Sequence, residues 1–365
     1  MLIDLIAGAR PNFIKISSII NAIKKEKNKG SNIQYRLIHT GQHFDKNMSD
    51  SFFEQLNIPL PDMNLGAGGG TQAEQTASIM VGYEKILLEK KPIICLVVGD
   101  VTSTMACSIT AQKMGVKVAH VEAGIRSYDW TMPEEINRLV TDSITNYFFT
   151  TTSIASDNLK KSGINDENIY FVGNTMIDSL ITNRVNFFKP KLWDEYALKK
   201  NSYLVVTLHR PANVDNVDAL NTVLLEIINN CNNLPVIFPV HPRTLKNISK
   251  LNLNYENLHL VDPMTYLEFN YLVENSFAVI TDSGGITEET TFMGVPCITL
   301  RDNTERPETV TIGTNELIGT NPLAIKPILK KLFNNEWKKG SIPELWDGRA
   351  GDRIINTLLS LKDIL

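Results

Sequence analysis

The fold follows from one stretch, His120-Val-Glu-Ala-Gly-Ile-Arg-Ser-Tyr-Asp-Trp-Thr-Met-Pro-Glu-Glu-Ile-Asn-Arg138, which joins an apolar run to a helical pattern. A strand ending in His-Val-Glu and turning through Ala-Gly places Glu122 at the carboxyl edge of a sheet, where open α/β folds bind ligands. Pro133 marks the next helix start, so Glu134 and Glu135 fall in its first turn, where the helix dipole favours carboxylates. For Glu135 alone, a helix-stabilising charge is the simpler interpretation.

On both sides of this stretch, apolar runs alternate with helical patterns. Strands are predicted at Leu2–Ala7, Tyr35–His39, Ile93–Val98, Val116–Val121, Tyr147–Thr150, Ile169–Val172, Tyr203–Leu208, Val236–Val240, Leu258–Val261, Ala278–Thr281 and Cys297–Thr299. Continuous apolar strands that are each followed by a helix indicate a parallel sheet covered on both faces. The chain is therefore expected to form two doubly wound, Rossmann-like α/β domains, over residues 1–185 and 186–348, with a linker-like stretch at Asn186–Lys200.

Composition bounds the class of protein. The chain has 365 residues, 43% of them hydrophobic, a net charge of −4 and a pI near 5.9. This balance gives no general attraction to nucleic acid or to an anionic membrane, so an anion must be held by local groups. Neither a signal peptide nor a membrane-length apolar stretch follows Met1, which indicates a cytoplasmic protein. The four cysteines lack metal-ligand spacing, and we expect no disulfide and no structural metal.

Two strand-to-helix turns could hold phosphate groups. Gly8-Ala-Arg-Pro-Asn-Phe-Ile-Lys15 offers backbone N–H groups at a helix start, with Arg10 and Lys15 nearby. The alternative is that Arg10 and Lys15 are solvated surface charges. Thr281-Asp-Ser-Gly-Gly-Ile-Thr-Glu-Glu289 is the clearer signal, because Ser283, Gly284 and Gly285 form a backbone cradle for a diphosphate. A simple helix N-terminal turn is the alternative there.

Other strand ends carry polar side chains. Asp100 follows the strand Ile93–Val98 and could either cap the next helix or join Glu122 and Glu134 in a carboxylate cluster suited to proton transfer. His209 and His241 each follow a strand of the second domain and are each close to an arginine. Two such pairs at equivalent sheet edges favour a ligand-facing role. Arg306 lies in a second basic loop, and Phe269 or Tyr266 could stack on a base, although aromatics at helical spacing more often belong to the core.

Together these residues resemble the non-hydrolysing UDP-N-acetylglucosamine 2-epimerases. The matching segments run in family order: Gly8–Lys15, His39–His43, Gly99-Asp100, His120–Gly124, Pro133–Arg138, Gly173–Thr175, His209-Arg210, His241-Pro242, Asp282–Gly285 and Arg301–Glu308. Each is weak alone, but the set is specific and spans almost the whole chain. The resemblance implies two domains facing each other across a cleft, the glycosyltransferase-B type of architecture, with the helix pattern over residues 349–365 crossing back to the first domain.

The resemblance also implies a reaction. UDP would leave a UDP-sugar by anti-elimination, giving a 2-acetamidoglucal, and would add again after protonation of C2 from the other face. Asp100, Glu122 and Glu134 match the family's acid/base carboxylates, and His209 matches its active-site histidine. Further matches are to substrate-binding residues: Arg10, Lys15, Ser283 and Gly284 to diphosphate ligands, and Glu289 to the ribose contact. No metal or other cofactor is implied, and the family is commonly dimeric.

Several alternatives remain open at this point. Segments near His39–Gln55 and Gly68–Gln75 are similar to those of relatives acting on UDP-2,3-diacetamido-2,3-dideoxy-glucuronic acid. A glycosyltransferase of the same architecture would need an acceptor, and a hydrolysing epimerase would release UDP. A non-catalytic nucleotide-sugar binder is disfavoured, because desolvated carboxylates beside a diphosphate would weaken binding without a catalytic return.

Overall fold

A computed structural model describes residues 1–41, 53–240, 242–251 and 255–361. Its strands are β1 (Leu2–Ala7), β2 (Gln34–His39), β3 (Met63–Asn64), β4 (Ile94–Val98), β5 (Lys117–Val121), β6 (Tyr147–Thr150), β7 (Ile169–Phe171), β8 (Leu204–Thr207), β9 (Val236–Pro239), β10 (Leu258–Val261), β11 (Ala278–Thr281), β12 (Cys297–Thr299) and β13 (Asn315–Leu317). Its α-helices are α1 (Arg10–Asn28), α2 (Gln72–Glu89), α3 (Thr102–Lys113), α4 (Pro133–Ile144), α5 (Ser153–Lys161), α6 (Thr175–Arg184), α7 (Leu192–Glu195), α8 (Pro211–Val214), α9 (Val217–Asn230), α10 (Pro242–Ile248), α11 (Tyr266–Glu274), α12 (Gly284–Met293), α13 (Pro307–Thr311), α14 (Ile325–Phe333) and α15 (Ala350–Ser360).

The strands form two parallel sheets. The first has the order β3-β2-β1-β4-β5-β6-β7 and the second β10-β9-β8-β11-β12-β13. Strand β1 illustrates why the strands appear as apolar runs in the sequence. Its residues from Ile3 to Ala7 are all buried, since helices cover both faces of the sheet. The two doubly wound, Rossmann-like α/β sheets predicted from the apolar runs are confirmed. In each sheet the strand order reverses at the first strand, and ligands bind parallel sheets at such switch points.

The chain divides into two compact units. The first comprises residues 1–182 and 344–365, and the second comprises residues 183–343. The stretch Asn186–Lys200 is not the unpacked linker that its polarity suggested. It contains α7, and Leu192 and Leu198 are buried in a core cluster of the second unit with Tyr203 and Leu272. The polar residues and Pro190 of this stretch were the basis of the linker prediction, and its apolar residues come in short groups without a regular period.

The first unit is completed by its C-terminal segment. The carboxylate of Asp178 accepts hydrogen bonds from the backbone N–H groups of Ala350 (3.1 Å) and Gly351 (2.8 Å), at the start of α15. Burial raises the pKa of Asp178 to about 6, although these two hydrogen bonds oppose the shift. Gly351 packs so closely on α1 that a Cβ there would lie 2.7 Å from the carbonyl oxygen of Ser18. Helix α15 therefore docks on α1 through a contact that only glycine fits.

Gly173 provides a test of this packing. Its φ is +90°, and a Cβ would lie 2.1 Å from the carbonyl oxygen of Leu345. We expect Gly173→Ala to lower the free energy of unfolding by about 3 kcal/mol or more, because left-handed strain and a backbone clash add. Urea unfolding would measure the loss. Gly163→Ala is the matched control, since Gly163 has a φ of +85° but nothing within 4 Å, and an equal loss in both variants would refute the clash.

Some elements differ from the sequence-based expectation. The apolar helical pattern of the sequence runs from Ile14 to Lys25. Helix α1 begins earlier, at Arg10, because Pro11 fits the first helical turn. Helix α5 was not predicted, since it buries only Ala155 and Leu159. Strand β13 was missed because it is short and polar. Among the described residues, no helix combines the length and apolarity required to cross a membrane.

Candidate active site

Asp100 lies in the turn between β4 and α3, at the carboxyl edge of the first sheet. It does not cap α3, whose N-cap residue is Val101. Its carboxylate instead accepts hydrogen bonds from Nε (3.0 Å) and Nη2 (2.6 Å) of Arg138 on α4. The side chain of Asp100 is 33% exposed. The Asp100 carboxylate is therefore held in place by a buried arginine while solvent still reaches it.

Glu122 lies directly after β5 with a φ of +72°, a conformation that non-glycine residues rarely adopt. Its buried carboxylate contacts the Lys15 ammonium through both oxygens, at 2.7 and 2.9 Å. A Cβ built on Gly99 would lie 3.5 Å from Lys15 Nζ and 3.9 Å from Glu122 Oε2, so this ion pair lies beside the turn that carries Asp100. Lys15, expected as a diphosphate ligand, thus forms an ion pair with a candidate catalytic carboxylate.

Helix α4 begins at Pro133 and carries both glutamates in its first turn, as predicted. Glu134 is half-buried, and its side chain has no hydrogen bond or ion pair with the part of the chain that the structure describes. Glu135 is buried and accepts hydrogen bonds from Ser127 N, Ser127 Oγ, Tyr128 N and Arg138 Nη1. Burial opposes its ionisation, but these bonds lower its pKa below the usual value. Glu135 therefore anchors the turn at residues 127–128.

The turn after β1 is not an open phosphate cradle. The N–H groups of Gly8 (3.2 Å) and Ala9 (2.9 Å) donate to Asn12 Oδ1, so the expectation that they point toward a ligand is wrong. Arg10 is exposed at the start of α1. Asn12 was overlooked because nothing in the spacing marks a side chain that turns back to its own helix start.

In the second unit, His209 is held by a buried carboxylate. Asp282, at the end of β11, lies 2.9 Å from His209 Nδ1 and accepts hydrogen bonds from the N–H groups of His209 and Arg210 and from Asn213 Nδ2. Burial opposes the ionisation of Asp282, but the hydrogen bond from His209 and its neighbours lowers the pKa below its usual value. Because Nδ1 faces Asp282 and the His209 side chain is 50% exposed, Nε2 is available to a ligand.

The Ser283-Gly284-Gly285 segment forms the N-terminus of α12, directly after β11. Ser283 is the N-cap residue and makes no side-chain capping bond. The basic loop expected over this turn is largely neutralised. Arg301 pairs with Glu305 at 2.7 and 2.8 Å, and Arg306 lies 3.1 Å from Glu288. The predicted anion site in this segment therefore depends on the helix N-terminus more than on the basic loop.

Glu289 is buried on α12 and accepts a hydrogen bond from the Tyr266 hydroxyl at 2.9 Å. Burial raises the pKa of Glu289 to about 7. Tyr266 is thus occupied by Glu289, and Phe269 packs against a core cluster with Leu272 and Ile286. Phe269 is only partly buried, and its stacking on a base stays a prediction. His241 lies outside the described residues.

The raised pKa of Glu289 predicts a pH dependence of stability. Its carboxyl ionises near pH 4.5 in the unfolded chain and near pH 7 in the folded one, so its contribution is full below pH 4.5 and is lost as the pH rises through 7. Between pH 5 and pH 8, the free energy of unfolding of the wild type should therefore fall by about 3 kcal/mol more than that of the Glu289→Gln variant, which has no carboxyl group to ionise at this position. Urea unfolding at both pH values measures this, and parallel curves would contradict it.

The side chains at the two sheet edges are suited to proton transfer. In the first unit, Asp100, Glu122 and Glu134 occupy strand-to-helix connections at one edge of a parallel sheet, and Asp100 and Glu122 are paired with cations. In the second, a helix N-terminus, a buried carboxylate and a histidine occupy the corresponding edge. No cluster of three His, Cys, Asp or Glu side chains suited to a metal ion occurs within the described ranges.

Each of the two Rossmann-like units carries these polar groups at the carboxyl edge of its parallel sheet, an arrangement typical of nucleotide-binding proteins. The family model for UDP-N-acetylglucosamine 2-epimerase matches residues 25–359. The chain belongs to the UDP-N-acetylglucosamine 2-epimerase family.

Three relatives illustrate the match. The UDP-N-acetylglucosamine 2-epimerase of Methanocaldococcus jannaschii is 40% identical, over 98% of this chain and 99% of that protein. The UDP-2,3-diacetamido-2,3-dideoxy-D-glucuronate 2-epimerase of Pseudomonas aeruginosa is 42% identical, over 87% and 88%. The crystal structure of the M. jannaschii enzyme in complex with UDP-N-acetylglucosamine and UDP has a TM-score of 0.87 and covers 99% of this chain and 100% of that one.

Proposed function

We propose that this protein is a non-hydrolysing UDP-N-acetylglucosamine 2-epimerase that interconverts UDP-N-acetylglucosamine and UDP-N-acetylmannosamine. The observation that carries the proposal is the pairing of Glu122 with Lys15 beside the turn of Asp100. A buried carboxylate with a cationic partner stays ionised and can accept a proton. The 40% identity to the M. jannaschii enzyme over nearly the full length supports the same reaction.

The proposed reaction involves no net oxidation or reduction, so it needs no external oxidant or reductant. A carboxylate removes the proton from C2 of the sugar as the bond between C1 and the diphosphate oxygen breaks, which gives a 2-acetamidoglucal and UDP. A second carboxylic acid then protonates C2 from the opposite face, and UDP adds again at C1. Asp100, Glu122 and Glu134 supply the proton acceptor and donor, the two roles that general acid/base catalysis requires.

The second unit supplies the groups for UDP. Gly284 and Gly285 offer N–H groups at the start of α12 to the diphosphate, and Ser283, whose own N–H donates to Thr281 Oγ1 at 3.0 Å, offers its hydroxyl group. Glu289 accepts hydrogen bonds from the ribose, with Tyr266 fixing its carboxylate. His209, oriented by Asp282, protonates or hydrogen-bonds the departing phosphate. Arg10 and Arg306 are assigned as further substrate-binding residues, and His241 is assigned with them on its sequence position alone.

Proton NMR in D2O tests the proposal. With UDP-N-acetylglucosamine, deuterium should enter C2 while the anomeric signal of UDP-N-acetylmannosamine appears. Release of free N-acetylmannosamine would indicate a hydrolysing enzyme, and turnover that depends on an added acceptor would indicate a transferase. Absence of exchange with both this sugar and UDP-2,3-diacetamido-2,3-dideoxy-glucuronic acid would refute the proposed epimerase activity.

A second substrate is supported by the P. aeruginosa relative, which is 42% identical and is a UDP-2,3-diacetamido-2,3-dideoxy-D-glucuronate 2-epimerase. The reaction at C2 is the same, and the two sugars differ at C3 and C6. The same NMR experiment with this sugar measures the preference. A kcat/KM at least about tenfold higher than for UDP-N-acetylglucosamine would make it the better substrate.

We also propose a cytoplasmic homodimer. Val81 (54% exposed) and Leu88 (70% exposed) are two turns apart on α2, so they lie on the same face of that helix and form an exposed apolar surface. Such a surface is expected to be covered by a protein partner, here a second copy of the chain. Light scattering should give twice the chain mass of 40.9 kDa, and a monomer at micromolar concentration would contradict the proposal. Fractionation of the source cells tests the compartment.

A further inference from the structure

Three consecutive carbonyl groups in the turn that carries Asp100 accept hydrogen bonds from side chains of three different elements. Val98 O accepts from Asn12 Nδ2 on α1 at 2.9 Å. Gly99 O lies 2.8 Å from His120 Nε2 on β5, and Asp100 O accepts from Asn137 Nδ2 on α4 at 2.8 Å. The backbone on both sides of the Asp100 side chain is therefore fixed by the surrounding unit.

His120 differs from the two asparagines in its charge. Its ring is fully buried, Nε2 faces a carbonyl oxygen, and Nδ1 lies 2.7 Å from Asp142 Oδ1. A carbonyl oxygen can only accept a hydrogen bond, so Nε2 carries a proton. An ionised carboxylate also only accepts, so Nδ1 carries one too. With both nitrogens protonated, the ring is an imidazolium.

Asp142 is ionised because its other partners are donors. Its Oδ2 lies 2.6 Å from Arg126 Nη1 and accepts a hydrogen bond from Gly124 N at 3.1 Å. Burial opposes its ionisation, but the bonds from His120 and Arg126 lower its pKa below the usual value. Arg126, Asp142 and His120 thus form a buried chain of alternating charges that ends on the carbonyl group of Gly99.

This chain joins the segments that carry the candidate catalytic carboxylates. Gly124 and Arg126 belong to the connection that follows Glu122, Asp142 lies on the same helix as Glu134, and the final acceptor precedes Asp100. Gly99 itself has a φ of +73°, and its N–H group donates to Val121 O at 3.0 Å. A left-handed turn held at both its N–H and its carbonyl group has little freedom to move.

We propose that His120 is a positioning residue for Asp100: as a buried imidazolium it holds the carbonyl group of Gly99 and thereby sets the position of the Asp100 carboxylate for proton transfer. This inference rests on the proposed epimerase function. His120 does not touch the substrate and acts only through the turn. Displacement of a catalytic group by about 1 Å can cost about 100-fold in rate, so loss of this hydrogen bond should affect turnover more than binding.

The kinetic test compares two replacements of His120. His120→Leu removes the donor and the charge, and kcat should fall at least about 100-fold. His120→Gln keeps one N–H donor toward Gly99, and kcat should lie between those of the leucine variant and the wild type. In both, KM should stay within about threefold of the wild-type value. Tyr83→Phe is the matched control, because it removes one buried hydrogen bond of the same unit, from Tyr83 to Asp4 at 3.0 Å.

A merely structural role would give a different result. All three variants would then lower thermal stability, while kcat per folded molecule, with the folded fraction measured by circular dichroism, would stay near that of the wild type. Equal kcat in the His120 variants and the Tyr83 control would overturn the proposal. So would a large rise in KM at unchanged kcat.

A second measurement does not depend on activity. In nitrogen-15 NMR of the substrate-free wild type near pH 7.5, His120 should show two ring N–H protons and imidazolium nitrogen shifts. A single ring N–H would overturn the assigned charge. If the wild type epimerised neither UDP-sugar, the proposed function would fail and the catalytic part of this inference with it, whereas the NMR result would still decide the charge of the ring.

Discussion

Replacement of Glu122 by glutamine is expected to lower kcat by at least about two orders of magnitude and to leave the KM for the UDP-sugar within about threefold. The amide has the size of the carboxylate but cannot accept the C2 proton. It also places an NH2 donor near the Lys15 ammonium, which now contacts both carboxylate oxygens at 2.7 and 2.9 Å. Steady-state kinetics and the rate of deuterium entry at C2 measure the loss.

Asp4→Asn is the matched control for this variant. Asp4 is a fully buried carboxylate of the same unit and pairs with Arg36 at 2.8 Å, but it lies within β1 rather than at the site. Loss of that ion pair should lower stability, while kcat per folded molecule should remain near the wild-type value. A similar fall in kcat for both variants would mean that Glu122 acts through the fold rather than in proton transfer.

Asp282→Asn is expected to have the second large effect. The asparagine keeps the shape, but its NH2 group must face at least one of the donors that now surround the carboxylate, namely the N–H groups of His209 and Arg210, His209 Nδ1 and Asn213 Nδ2. We expect the free energy of unfolding to fall by about 3 kcal/mol, the scale of a buried pair that loses one partner. Because His209 also loses its orientation, kcat should fall by roughly 10- to 100-fold.

A double-mutant cycle separates these two effects. If Asp282 acts on turnover through His209, the double variant Asp282→Asn with His209→Gln should be no slower per folded molecule than His209→Gln alone. Stability should still fall in the double variant, because the N–H groups of His209 and Arg210 and Asn213 remain in place. Multiplicative effects on kcat would show that Asp282 influences turnover by a route other than His209.

Local sequence patterns predicted the fold well where burial was uniform. Strands β1, β6, β11 and β12, which are almost entirely buried, have the bounds that the apolar runs indicated, and β10 has them too although its residues are only partly buried or exposed. Helix α5 was not predicted, because its two buried side chains, Ala155 and Leu159, are too few to form a periodic pattern. The stretch Asn186–Lys200 resembled a linker because it is rich in polar residues and contains Pro190, although Leu192 and Leu198 are part of a core cluster.

The sequence predicted which residues lie at the candidate site, but it did not predict which of their side chains pair with one another. The position of Asp100 and Glu122 at strand ends followed from the apolar runs. Their partners did not, because Lys15 and Glu122 are 107 positions apart and the pairing depends on which strands become neighbours. Asp282 and His209, 73 positions apart, meet because β8 and β11 are adjacent in the second sheet. Side-chain partners of this kind become visible only with the strand order.

The discontinuous first unit has a consequence for the order of folding. Its sheet is encoded before residue 172, yet Asp178 and α1 receive their partner α15 from residues beyond 344. During synthesis, the whole of the second unit, residues 183–343, is added to the chain before α15. Domains usually fold in the order in which they emerge. Here the unit that begins first must wait for the other, with the α15-binding surface of α1 exposed in the nascent chain until translation has passed residue 360.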